Sequence, residues 1–384
     1  MVKREHGDHA PTASDAGGSV INAGRHRRSP VPACLIALIA VLVAGCSVSA
    51  DPDADATDKP EVTVVTVGSW TFPTELHKAF ERQTGIELVI RQVGDDTGEL
   101  TDELVRTKAD PLGDVAIGVD STTAWRASRE GVFEPYTSPE ANQGQQRFSI
   151  DKQQRLSAVD VTDMCLNIDT EWFTARALHE PTSFEDLTDS RYRGLLVTPD
   201  PRTSSAGLAF LHATIARFGD RDWRTYWNEL KANEVQVVDD VEEAYSTEFS
   251  GSSGEGSCPI VVAYASAPAA EAAESDKSDE KGTARTKTLL DAGMCYRNVR
   301  YAGVLDGAEN PEQAGKLVDF LLTQQFQAKV PAAFGSYPAR EGVELPNGWD
   351  ELAPQPAKPQ MLPAKQVSNN REQWLSQWQS VMRD

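Results

Sequence analysis

Asp200-Pro-Arg-Thr-Ser-Ser-Ala-Gly-Leu is the stretch of this sequence best equipped to hold a ligand. Leu195 to Thr198 predicts a strand. Leu208, Leu211, Ile215 and Phe218 then repeat at helical spacing up to Gly219, a residue suited to ending a helix. Thr203, Ser204 and Ser205 therefore fall at a helix start, where unpaired backbone N–H groups and the positive end of the dipole favour an anion or a hydroxyl-bearing ligand. The same residues are also ordinary N-caps, so the stretch alone leaves capping and ligand binding both open.

Catalytic patterns are hard to find elsewhere. Beyond the first 45 residues the histidines are His77, His179 and His212, in no ligand-like spacing, and each reads as a surface or packing residue. No Gly-x-Ser-x-Gly elbow occurs, and the glycines of Gly251 to Gly256 lack the Lys-Ser/Thr of a phosphate-cradling loop. Asp95 and Asp96 offer an acid pair or a metal site, yet adjacent carboxylates in a turn are usually solvated. The expectation is a non-enzyme with no cofactor, no metal and no catalytic residue.

The elements that position these groups follow from periodicity. Strand Val62 to Val67, helix Pro73 to Gln83 closed by Gly85, strand Ile86 to Ile90, helix Thr97 to Thr107 and strand Asp114 to Val119 make a βαβαβ run, hence a parallel sheet. In such sheets ligands sit beyond the carboxyl ends of the strands. Those ends carry Gly68-Ser69-Trp70-Thr71, Gly94-Asp95-Asp96-Thr97-Gly98 and Asp120-Ser121-Thr122, three polar loops at one rim. Each loop singly reads equally as a turn or a cap.

Val161 to Ile168 predicts a crossing into a second unit. That unit includes Pro181 to Leu187 with Ser183 as an N-cap, a helix near Trp223 to Leu230, and strands Val235 to Val238 and Pro259 to Tyr264. The last strand ends in Tyr264-Ala265-Ser266-Ala267 before Pro268 opens a helix. Gly251 to Gly256 and Glu271 to Lys287 read as exposed insertions. Tyr296 to Leu305 predicts a strand returning to the first unit. Helix Pro311 to Gln325 and a last helix, Asn369 to Met382, follow, the latter with Trp374, Trp378 and Val381 on its packing face.

The amino terminus reads as an export signal. Arg25, His26, Arg27 and Arg28 precede an apolar run from Val31 to Ala44 that ends in Val43-Ala44-Gly45-Cys46. That tetrad resembles the bacterial lipobox, which implies lipidation of Cys46 and an extracytoplasmic protein anchored to the membrane; an ordinary signal with an incidental Cys is the other reading. Removing five basic and three acidic residues leaves 32 against 55, a net charge of −23. This acidity argues against nucleic acid as a partner and mildly favours a cationic ligand.

The expected layout is a signal over residues 1–45 and a flexible acidic tether over 46–60. A first lobe takes 61–159, a second 160–294, and 295–384 returns to the first. Cys165, Cys258 and Cys295 remain after processing. Because Cys165 and Cys295 flank the two expected crossings, they are the preferred disulfide, at the hinge; three unpaired buried thiols is the alternative.

A lipid-tethered, two-lobed α/β protein without catalytic residues fits a transport binding protein whose lobes close on a ligand. Asp200-Pro-Arg-Thr-Ser-Ser, Glu243-Ala244-Tyr245, Tyr264-Ala265-Ser266-Ala267-Pro268-Ala269, Asp114-Val-Ala-Ile-Gly-Val-Asp120, Tyr337-Pro338 and Trp374-x-x-x-Trp378 resemble the thiamine-binding proteins of bacterial ABC importers. The resemblance runs from Val62 to Met382. It implies a two-lobed type II periplasmic-binding fold with a hinge between lobes of mixed, mainly parallel sheets, a monomer, an ABC permease as partner, and thiamine or a thiamine phosphate as ligand. It places Asp96, Thr97, Ser204, Ser205 and Tyr264 to Ala267 at that ligand, with Trp70 and Asp120 on the same rim.

Three positions depart from the family. Val67, Val241 and Gly335-Ser336 stand where relatives carry aromatics or Met, with Trp70, Phe72 and Trp125 as replacement ring faces. Receptors for a polyamine, ferric ion or phosphonate are the alternatives, and an exported hydrolase is a further one. The ferric-ion receptors use adjacent tyrosines, and no Tyr-Tyr occurs here.

Overall fold

The computed structural model describes residues 59–68, 70–252, 255–277, 285–291 and 293–383. The signal segment, Cys46 and Ser69 lie outside the described residues. β1 (Glu61–Thr66), α1 (Thr74–Thr84), β2 (Glu87–Gln92), α2 (Thr97–Arg106) and β3 (Val115–Asp120) form the βαβαβ run, its three strands parallel. Pro73 precedes α1, and Gly85 ends it at a φ of 70°, with its N–H bonded to the Glu81 carbonyl. After α3 (Ala124–Arg129) come β4 (Ser157–Asp169), α4 (Thr170–Arg176), β5 (Leu196–Pro199) and α5 (Ser205–Ala232). Next are β6 (Gln236–Val238), β7 (Ile260–Tyr264), α6 (Ala267–Lys277), β8 (Thr286–Leu289) and β9 (Tyr296–Val304). The chain closes with α7 (Pro311–Leu322), α8 (Gln324–Gln327), α9 (Val330–Phe334), β10 (Tyr337–Pro338), α10 (Trp349–Leu352) and α11 (Ala364–Arg383).

The sheet order is β2-β1-β3-β9-β4-β7-β5-β6, with β8 and β10 also paired to β4. Every antiparallel strand pairing involves β4 or β9; the others are parallel. The first half of β4 runs against β9, from Ser157 opposite Ala302 to Met164 opposite Tyr296. From Met164 onward β4 also carries β7, and from Leu166 it carries β8. Two hydrophobic cores flank this crossing. One gathers Val64, Phe80, Ile117, Leu317 and Phe326, and the other Leu211, Trp223, Trp227, Tyr296 and Trp374.

Two links hold the crossing. On one face, Arg297 donates from Nε and Nη2 to the two oxygens of Asp163 at 2.8 and 2.7 Å, and the Asp163 side chain is fully buried. A bidentate pair of this kind satisfies the charge that burial would otherwise penalise. A disulfide joins Cys165 to Cys295 across the same strands, and Cys258 is a free buried thiol.

Several elements differ from the sequence expectation. Glu271 to Lys287 is no simple insertion: its described ends belong to α6 and β8, and Glu271 accepts bonds from Tyr245 and Thr286. The helix opening at Pro268 was expected, but its continuation past Glu271 and the strand β8 were not, because small and charged residues there carry no periodic stripe. The helical run does break at Gly219, as the sequence indicated. Its φ of 73° and ψ of 172° kink α5, which then resumes with Trp223 and Trp227 buried. Thr323 splits the helix expected to reach Gln325, because its side chain caps α8 at Phe326. α11 begins five residues earlier than the pattern suggested. Residues 295–384 were expected to complete the first lobe, but Trp374 and Trp378 join the second core, with Trp378 edge-on to Trp227 at 5.6 Å.

The disulfide closes a span of 130 residues, so its main effect is to restrict the unfolded chain. Replacing both Cys165 and Cys295 by Ala is expected to lower unfolding stability by about 2–5 kcal/mol in a urea titration of the oxidised protein. Replacing Cys258 alone by Ala should cost less, since it ties nothing together.

Candidate functional site

The carboxyl ends of β1, β2, β3, β5 and β7 converge on a cavity of about 390 Å³. This is within the usual range for a small-molecule site. Its floor comes from the crossing strands. Thr162 and Met164 of β4 and Asn298 and Arg300 of β9 line it, because alternate residues of a strand share a face. A second hollow of about 550 Å³ shares Thr162, Tyr264 and Arg300 with the first and is walled by Tyr245, Phe334 and Val241. A larger hollow, about 780 Å³, lies away from these strand ends between Phe173 and Tyr192 and contains none of the expected residues.

Ser204 and Ser205 line the first cavity at the start of α5. Ser204 occupies the N-cap position, yet its side chain makes no capping bond. The turn is secured by other groups: Asp200 accepts from the Arg202 backbone at 2.8 Å, and Thr203 donates to the Asp239 carbonyl at 2.6 Å. Both serine hydroxyls are thus without a hydrogen-bond partner among the described residues. Gly207 lets this turn approach β5, since a Cβ there would sit 2.3 Å from the Pro199 carbonyl oxygen.

The opposite rim is acidic. Asp95 and Asp96 are exposed, and Asp96 also caps α2 by accepting from the Glu99 N–H at 2.9 Å. Thr97 donates to the Gly118 carbonyl at 2.8 Å, at an irregularity in β3 where Gly118 has a φ of 120°. Asp120 is only 6 % exposed and is held by Thr122 and by the Asn298 amide. Its carboxylate is therefore fixed rather than free to swing.

Aromatic walls complete the cavity. Trp70 lines it at 2 % exposure, stacked on Phe334 with centroids 5.3 Å apart, and its indole N–H has no acceptor. Phe72 packs behind Trp70, edge-on at 5.5 Å, and Trp125 lines a different hollow, so neither supplies a ring face here. Tyr264 borders both hollows, and Ser266 and Ala267 border the second. Ala265 is the exception among the expected contacts: it is completely buried in the first core and lines neither hollow. A strand end alternates faces, so consecutive residues cannot all meet one ligand. Val67 borders the first hollow, and Val241 and Gly335 the second, so small residues at all three family departures widen the space.

Sequence reasoning missed Thr162, Asn298 and Arg300. Their signal was present as polar residues at alternate positions, Asp160-x-Thr162 and Asn298-x-Arg300, but Asp163 and Arg297 on the other face interrupted the alternation. Arg300 stands opposite Asp160 in the β4–β9 ladder, with Nε 3.5 Å from a carboxylate that is fully buried. Burial pushes the Asp160 carboxyl upward, and the Arg300 charge opposes that shift.

A mixed sheet whose strand ends meet over such a cavity is the architecture of a ligand receptor, and the comparisons agree. The chain belongs to the bacterial extracellular solute-binding protein family, whose model matches residues 110–370. It has the type II periplasmic-binding-protein fold. It is similar to the thiamine-binding periplasmic protein of Salmonella typhimurium, 28% identical over 338 residues covering 86% of this chain and 95% of that protein. The Escherichia coli protein of the same name is 27% identical, over 84% and 94%. A solved periplasmic thiamin binding protein matches with a TM-score of 0.70 at 25% identity, covering 84% of this chain and 96% of that one. Iron-bound HitA from Pseudomonas aeruginosa shares the fold with a TM-score of 0.68 at 20% identity, over 84% and 99%.

The two capping positions separate structural from ligand roles. Asp96→Ala should cost about 0.5–2 kcal/mol in urea unfolding because it removes a made cap. Ser204→Ala should change stability by less than about 0.5 kcal/mol, since no cap bond is lost. Gly207→Ala should destabilise by about 1–3 kcal/mol as the first turn of α5 is pushed off β5.

Proposed function

We propose that this protein is the receptor of an ABC importer, that it captures thiamine or a thiamine phosphate outside the cytoplasm, and that it catalyses no reaction. The observation that carries the reading is the pairing, in one cavity, of an uncapped helix start at Ser204 and Ser205 with the acidic rim of Asp95, Asp96 and Asp120. Thiamine has a cationic ring at its centre and a hydroxyl or phosphate at one end, so it matches carboxylates and aromatic faces on one side and N–H and O–H donors on the other. The relatives named for thiamine binding support the same ligand.

The crossing at β4 and β9 would divide a lobe of residues 61–159 from one of 160–294, and closure about it would present the filled receptor to the permease. Cys46 would carry the lipid that holds a monomeric receptor at the membrane surface. Labelling cells with an alkyne palmitate should mark the protein, and Cys46→Ser should abolish the mark and release the protein from the membrane fraction.

Titration calorimetry with thiamine, thiamine mono- and diphosphate, spermidine and ferric citrate tests the ligand. Thiamine compounds should bind in the micromolar range or tighter and be recovered chemically unchanged. Binding of ferric citrate alone would replace this reading with the one suggested by the iron-named relative, an iron uptake protein 24% identical over 331 residues.

A further inference from the structure

We propose that Arg300 makes this site selective for a ligand form bearing a phosphate monoester over the same ligand ending in a hydroxyl. The inference rests on the thiamine reading and concerns which form of it the cavity is built for.

The argument is an inventory of unpaired donors. A guanidinium carries five N–H groups. Arg300 meets Asp160 through Nε at 3.5 Å, and among the described residues no acceptor pairs with its Nη groups, although the side chain is only one-quarter exposed. The same cavity holds the Trp70 indole N–H, buried and without an acceptor, and the hydroxyls of Ser204 and Ser205 at the first turn of α5. Of these donors the Trp70 indole N–H is fully buried, while Arg300 and the two serines are partly open to the cavity, so together they present unpaired donors to an acceptor-rich partner. The cavity's own carboxylates do not meet the need. Asp120 is already held by Thr122 and Asn298, Asp96 caps α2, and Asp95 is exposed.

A phosphate monoester offers three acceptor oxygens and close to two negative charges near neutral pH. Arg binds such a group through its planar fork, and a helix start adds backbone N–H groups and dipole. Asp160, the cross-strand neighbour of Arg300, contributes charge rather than a hydrogen bond. Its carboxylate is 0 % exposed and 3.5 Å from Nε, with no hydrogen bond to the guanidinium, so it does not occupy the Nη groups. The cationic ring of the ligand would then face Asp95 and Asp96 at the exposed rim or the aromatic second hollow.

The test compares thiamine with thiamine monophosphate by calorimetry on the wild type, Arg300→Gln and Arg300→Lys. The wild type should bind the monophosphate at least about tenfold more tightly than thiamine, consistent with the strength of charge-assisted bonds. Arg300→Gln should erase that preference by weakening the monophosphate at least about tenfold more than thiamine, and a far-UV circular dichroism spectrum matching that of the wild type certifies that the variant is folded. Arg300→Lys keeps the charge beside Asp160 but loses the fork, so it should give an intermediate preference. Equal weakening of both ligands by Arg300→Gln would reduce Arg300 to a structural role and overturn the proposal. A wild type without preference would overturn it too, while leaving the thiamine reading intact; a wild type that binds neither compound would sink both.

Discussion

The structure depends on one antiparallel pair, β4 against β9. Every switch from parallel to antiparallel pairing in the sheet involves one of these strands, so the two parallel groups β2-β1-β3 and β7-β5-β6 are related only through them. Such a seam would be a weak point if backbone bonds alone held it. Here one face carries the buried Asp163–Arg297 fork and the disulfide from Cys165 to Cys295, and the other carries Asp160 beneath Arg300. A fixed seam gives the cavity a rigid floor, which keeps binding groups in place without an entropic cost on each encounter.

The faces of the seam are chemically distinct because strand alternation enforces it. Thr162, Met164, Asn298 and Arg300 point to the cavity, while Asp163, Cys165 and Arg297 serve the link on the reverse side. Register therefore decides which groups line the cavity: a slip of one residue would bury the cavity-facing groups and expose the structural pair. Irregularities help set that register. One falls between Ala158 and Asp160, where the Val159 carbonyl accepts from Gln327 at 2.8 Å, and another lies at Gly118, whose carbonyl accepts from Thr97. Each displaces a backbone group from the ladder and gives it a defined side-chain partner.

The helix start at Ser204 shows how a local motif acquires a role. Asp200, Arg202 and Thr203 hold the turn, and Gly207 allows close approach to β5, so stability does not require the serine hydroxyls. They remain oriented into the cavity by a turn that other residues have already secured. In the wider cavity, Val67, Val241 and Gly335 leave room where bulkier side chains would fill it, while Trp70 keeps one ring face in place by stacking on Phe334. Under the proposed function, specificity would rest on which donors stay unpaired and on how much space surrounds them.

Elements whose signals are local can be read from residue order alone. The βαβαβ run, the glycine end of α1, the strand and helix around Asp200, and the returning strand β9 are all written in periodicity and caps. Residue order also singled out the loops at the carboxyl ends of the strands, because the rule for open parallel sheets needs only their order. Packing of the folded chain sets which residues of those loops share a cavity, that Ala265 turns inward, that α11 packs on α5, and that Arg300 enters the floor. Those outcomes depend on pairings between residues more than a hundred positions apart, such as Asp160 with Arg300 and Asp163 with Arg297. Local propensity carries no record of such partners until the chain has folded.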